Sequence, residues 1–142
     1  MKETIMDIAH LAHVELYTPK LDASTLFFTE VMGMSISETT TNSIYLRAYD
    51  DYEHHTLKLT AHKHAGMGHF AWRTRSEAAL QRRVNAIEKT GLGMGWHDGD
   101  RGHGPAYLFH SPDGHAIEMY FETEKFCPAI NEQSFLKNTI SK

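Results

Sequence analysis

LAHVELYTP, residues 11–19, alternates apolar and polar positions with the two-residue period of a β-strand that buries one face. The alternation places Ala12, Val14 and Leu16 on one side and His13, Glu15 and Tyr17 on the other. A polar strand face meant only for water is usually served by Lys, Thr or Ser. A histidine two places before a glutamate is chemically more pointed. GHFAWRT (68–74) reads as a second strand of the same kind, and its His69 stands 56 positions after His13.

The segments that follow these two strands match in order. After the first (8–17), LDASTLFFTEVMGM predicts a helix, with Asp22 as N-cap and Gly33 at its end. Three strands come next: MSISET (34–39), SIYLRAY (43–49) and HTLKLTA (55–61). After the second, SEAALQRRVNAIEKTG predicts a helix with Ser76 as N-cap, an apolar stripe of Leu80, Val84 and Ile87, and Gly91 at its end. The strands LGMGWHD (92–98), AYLFHS (106–111) and HAIEMYFE (115–122) complete this half, the last two joined by the turn SPDG (111–114). The two terminal glycines are 58 positions apart, nearly the spacing of the histidines. The fold class this predicts is α+β: a tandem βαβββ repeat, with units at about 8–61 and 68–122, forming a curved mixed sheet with two helices on its outer face. A single domain over residues 1–124 and a tail or linker over 125–142 are expected.

The bulk numbers narrow the function classes. With 41% hydrophobic and 23% charged residues the 142-residue chain has the composition of a globular domain. A net charge of −4 argues against a nucleic-acid partner. No run approaches the ~18 apolar residues of a membrane span, and MKETIMDIAH is too polar for a signal peptide. The lone cysteine, Cys127, leaves no internal disulfide and fits a reducing cytoplasm.

The first and last strands of each repeat share an apolar face: Val14 and Leu16, Leu57 and Leu59, Phe70 and Trp72, then Ile117, Met119 and Phe121. The opposite face carries His13 and Glu15, Thr56 and Lys58, His69 and Arg73, and Glu118 and Tyr120. If the sheet curls into a trough, these groups converge on its floor. From spacing alone the set is open between a metal or ligand site and a solvated polar face.

LAHVEL, GMGHFAWRT and SPDGHAIEMYFE, in that order, resemble the vicinal oxygen chelate superfamily of glyoxalases, bleomycin-resistance proteins and extradiol dioxygenases. YLRAYDDYEHHTLKLT, GWHDGDRGHGPAYLFHSPDGHAIEMY and the late LKN look most like the extradiol catechol 2,3-dioxygenases, and in particular their N-terminal module. The resemblance implies metal ligands at His13, His69 and Glu118, with Lys58 at the position where glyoxalase I has a fourth ligand. Two imidazoles and a carboxylate on one side of an ion form the facial triad suited to non-haem Fe(II), or to Mn(II) or another divalent metal. An ammonium at Lys58 cannot ligate and argues against a glyoxalase. The resemblance also implies an acid/base histidine before the seventh strand and a tyrosine within it. By register from Pro112 those positions are Gly99 and Leu108; His97, His103 and Tyr107 lie nearby, Tyr107 one residue out and so on the opposite face.

The expectation is therefore an extradiol ring-cleaving dioxygenase-type protein, acting on a catechol-like aromatic diol with O2 at a mononuclear Fe(II). His97, His103 and Tyr107 are the acid/base candidates, and Lys58, Arg73, Tyr120 and His54 the substrate-facing ones. Arg73 and Lys58 read equally as partners for Glu15 and Glu118. EHH (53–55) reads as a strand start that turns His54 into the trough, and DGDRGHGP (98–105) as a glycine-rich loop over its mouth. Cys127 is not expected to be a nucleophile. Two alternatives stand beside this: a metal-free, non-catalytic module of a two-module dioxygenase, and a metal-free binder of a small aromatic ligand. A homodimer, or pairing with a second module, would cover exposed sheet edges and apolar surface.

Overall fold

The computed structural model describes residues 5–126, so the predicted tail beyond residue 126 and Cys127 lie outside the described residues. Eight strands form one sheet: β1 (Ile8–Thr18), β2 (Ser35–Thr39), β3 (Ser43–Arg47), β4 (Leu57–Ala61), β5 (Gly66–Thr74), β6 (Gly93–His97), β7 (Ala106–His110) and β8 (Ala116–Tyr120). Helix α1 (Leu21–Leu26) runs into a π-helical turn at Phe27–Val31, and α2 spans Glu77–Glu88. The strand order is β2-β3-β4-β1-β5-β8-β7-β6. The two βαβββ units thus lie side by side, joined by antiparallel β1 and β5, each of which pairs in parallel with the last strand of its own unit.

The apolar face receives both helices, as the patterning requires. Leu80 and Val84 of α2 pack on Tyr107 and Met119, with Ile8, Ile87, Phe109 and Phe121 at the margin. Leu46, Leu57 and Leu59 pack with Leu16, Leu21 and Phe28 beneath α1. Ser76 caps α2, its hydroxyl accepting from the Ala79 amide. Gly33 and Gly91 follow the helices at φ 76° and 75°, a left-handed conformation that costs a glycine nothing.

Three sequence expectations shift. Helix α1 begins at Leu21 after Lys20, so Asp22 sits in the first turn, where its charge faces the positive end of the helix, rather than capping it. Strand β4 begins at Leu57; residues 53–56 precede it, with Glu53 bridged to Lys125, so EHH does not open a strand. The third shift is in β1. Leu11 pairs with Trp72 and His13 with Ala71, so Ala12 is an extra residue in a β-bulge. Ala12 therefore does not share the face of Val14 and Leu16; it clusters with Ala71, Ala106 and Tyr120 on the trough side. The same bulge rephases the strand, and His10, opposite Arg73, joins His13 on the trough face.

Candidate metal centre

Three neighbouring strands deliver the side chains at the centre of the trough. His13 comes from β1, His69 from β5 and Glu118 from β8, on strands that are sheet neighbours. The small residues Ala12, Ala71 and Ala106 beside them leave space for rings. His13 Nε2 lies 2.9 Å from His69 Nε2, and the two are 3.6 and 3.7 Å from Glu118 Oε1. His13 and Glu118 are 2% and 3% exposed. Among the described residues, the donor atoms of these three all fall within 4.8 Å of one another.

The trio fits a divalent cation on two counts. Donors at adjacent corners around an ion bound at about 2.1 Å stand about 3 Å apart, close to the separations observed. Glu118 Oε1 is also buried without an aligned hydrogen-bond donor, although His103 Nε2 is 3.0 Å away. Without an ion the two imidazoles can share one proton between their Nε2 atoms, but the buried Glu118 Oε1 is left without an aligned donor, which is costly unless a cation sits there.

The electrostatics agree. Burial pushes His13 down to about 3, which outweighs the pull of Glu118 and leaves a neutral imidazole able to ligate. Burial works to raise Glu118, but the close His103 ring and the surrounding imidazoles hold it at about 2, an anion at neutral pH. For His103 burial opposes the charge, yet Glu118 and the Gly104 carbonyl raise its pKa overall. His103 stacks on the Tyr120 ring at 4.1 Å.

The remaining predicted residues divide. His97 and His103 both reach Glu118, at 2.9 and 3.0 Å, and Tyr120 packs beside His13 with its hydroxyl 3.4 Å from Nδ1. Tyr107 is not brought to the centre; it lies under α2 with Leu80 and Val84, while Leu108 pairs with Glu118 on the trough side. Lys58 is engaged by Asp100 at 2.5 Å and Glu15 at 3.4 Å. Arg73 pairs with Glu53 at 2.9 Å rather than with Glu118. His54 turns toward β2, with Nε2 3.1 Å from Glu38 and Nδ1 2.8 Å from His55 Nδ1.

Sequence reasoning missed His55. It is 3% exposed, its ring lies 4.7 Å from that of His13, and its Nε2 is buried without a partner. Glu38 can only accept, so with His54 neutral the proton on His54 Nε2 points to Glu38 and His54 Nδ1 accepts from His55 Nδ1. His55 Nε2 is then a bare lone pair, and burial holds it neutral by pushing its pKa to about 2. The run of two histidines before β4 was the available signal; which of them turns inward depends on where β4 begins.

A two-histidine, one-carboxylate centre on a doubled βαβββ sheet defines a class of protein, and residues 10–119 match the model of the Glyoxalase/Bleomycin resistance protein/Dioxygenase superfamily. The chain belongs to that superfamily. It is 52% identical over 141 residues to a metapyrocatechase of Geobacillus stearothermophilus, and 33% identical over 136 residues to a manganese-dependent 2,3-dihydroxybiphenyl 1,2-dioxygenase of Geobacillus genomosp. 3. These alignments cover 99% and 94% of this chain but 43% of each relative, so the chain spans less than half their length. Among solved structures, the anaerobic substrate complex of homoprotocatechuate 2,3-dioxygenase from Brevibacterium fuscum matches with a TM-score of 0.81 and 30% identity, over 85% of this chain and 39% of that one. Among the described residues no helix is long and apolar enough to cross a membrane.

Proposed function

We propose that this chain is an extradiol-type ring-cleaving dioxygenase module that takes a catechol-like aromatic diol and O2 at a divalent metal, Fe(II) or Mn(II), held by His13, His69 and Glu118. The observation that carries the reading is the convergence of two imidazole nitrogens and one carboxylate oxygen, 2.9–3.7 Å apart, with His13 and Glu118 buried. The relatives add chemistry: one is a metapyrocatechase and one a manganese-dependent diol dioxygenase.

The metal, when bound, supplies a Lewis-acidic centre that draws both diol oxygens and O2 to one point and eases loss of the hydroxyl protons. The chain's own residues do the rest. His55, with a lone pair at Nε2, is the group to accept a diol proton beside His13. His103 and His97 hold Glu118 as an anion in a fixed direction. Loop 98–105, bridged through His103 to Thr123, sets the His103 ring against Glu118 and Tyr120. Lys58 ties the loop down through Asp100.

Anaerobic loading with Fe(II) or Mn(II), followed by catechol and air, tests this: a yellow ring-opened product is expected from the protein and not from His69→Ala. A stoichiometrically loaded protein that gives no product refutes it. A second reading has its own support in the 43% coverage of the relatives, which suits one module of a two-module protein, acting beside a partner of the same fold or a second copy of itself. Absence of any stoichiometric metal, with a dimer in sedimentation, favours that reading.

A further inference from the structure

His69 can serve the centre only if its Nε2 lone pair is bare, which requires its proton to be on Nδ1. A neutral imidazole carries the proton on either nitrogen, and the hydrogen bond made by the nitrogen away from the metal decides which. The group behind His69 is Glu15. Its Oε1 lies 3.1 Å from His69 Nδ1, and an ionised carboxylate can only accept.

Glu15 is itself held. Its Oε2 accepts from Thr60 Oγ1 at 2.8 Å and faces Lys58 Nζ at 3.4 Å, and the residue is 7% exposed. The carboxylate lies flat on Gly68, where a Cβ would overlap it, with Glu15 Cδ and Cγ at 2.8 and 2.9 Å. A register shift between Val14 and Leu16 adds a residue to β5 here, which brings Gly68 and His69 against Glu15. His13 has a longer arrangement of the same sense: its Nδ1 faces the Tyr120 hydroxyl at 3.4 Å, which donates to Glu53 at 3.4 Å.

We infer that Glu15, in the space left by Gly68, is a positioning residue that keeps the proton of His69 on Nδ1 and turns the Nε2 lone pair toward His13 and Glu118. The inference rests on the metal reading above, but the state of the His69 ring can be read without any metal. It explains why a glutamate follows His13 by two: that spacing on β1 supplies one ligand directly and buttresses the other across the strand pair.

The test is 15N NMR of the imidazoles in metal-free protein, with His69 assigned by its loss in His69→Asn, together with Mn2+ titration by calorimetry. Wild type is expected to show His69 in the Nδ1–H form. Glu15→Ala should convert it to a mixture and weaken Mn2+ by about 10–100-fold. Glu15→Gln, which keeps an accepting oxygen, should restore the ring state and part of the affinity; a merely structural role predicts no such rescue. Gly68→Ala, which displaces the carboxylate without removing it, should mimic Glu15→Ala. A wild-type His69 in the Nε2–H form overturns the inference even if the variants fail to fold, and so does a folded Glu15→Ala with unchanged ring state and affinity. A wild type with the Nδ1–H form that takes up no Mn2+ sinks the metal reading and leaves the positioning role standing.

Discussion

Glu118→Gln separates the two roles of the carboxylate, as an anion that stabilises the metal-free fold and as a ligand. In the folded protein Glu118 stays ionised down to about pH 2, against 4.5 for an unperturbed glutamate. At about 1.4 kcal/mol per pH unit, that difference is worth about 3.5 kcal/mol of stability, an order-of-magnitude figure for a group coupled to four imidazoles. The sign follows from proton counting. Between pH 4.5 and 2 the unfolded chain binds a proton at this position and the folded chain does not. The contribution is therefore complete above about pH 5 and is lost as pH falls toward 2. Glu118→Gln should lower the unfolding free energy at pH 7 by up to about 3.5 kcal/mol, and the two proteins should converge near pH 2. The ligand role appears when Mn2+ is added. At 100 times its Kd a cation bound only to the folded state adds about 2.7 kcal/mol, a gain expected in wild type and absent in the variant. Urea unfolding at pH 7, 4 and 2, with and without Mn2+, measures both. A variant with the same pH dependence and the same Mn2+ gain as wild type would refute the reasoning.

Three further substitutions probe the frame around the centre. Lys58→Met leaves Asp100 with only the Tyr45 hydroxyl among its side-chain partners, and amide exchange across residues 98–105 should accelerate while α2 exchanges as before. Leu80→Ala removes a buried contact to Tyr107 and Met119; it should cost about 2–5 kcal/mol in urea unfolding and leave the Mn2+ affinity unchanged. Ser76→Ala deletes the cap of α2 and should cost about 1 kcal/mol, read as a lower melting temperature, again with no change in metal affinity.

Local chemistry wrote much of this protein into its sequence. Two-residue alternation marked the strands and their faces, glycines marked the helix ends, and the repeat of order set the two halves side by side; His13, His69 and Glu118 are legible because each sits at a regular strand position. The tertiary structure decided what depends on pairing between distant segments. The bulge at Ala12 reverses the faces of His10 and Leu11 and brings His10 to the trough, a shift that alternation within one strand cannot reveal. The start of β4, set by its pairing with β1 and β3, leaves residues 53–56 outside the strand, with His54 held by Glu38 and His55 beside His13. The pairing of Glu15 with His69 joins residues 54 apart and exists only because β1 lies beside β5 with Gly68 between them. Side-chain direction along a strand is a property of neighbouring residues, whereas register and loop placement are set by contacts between segments far apart in the chain.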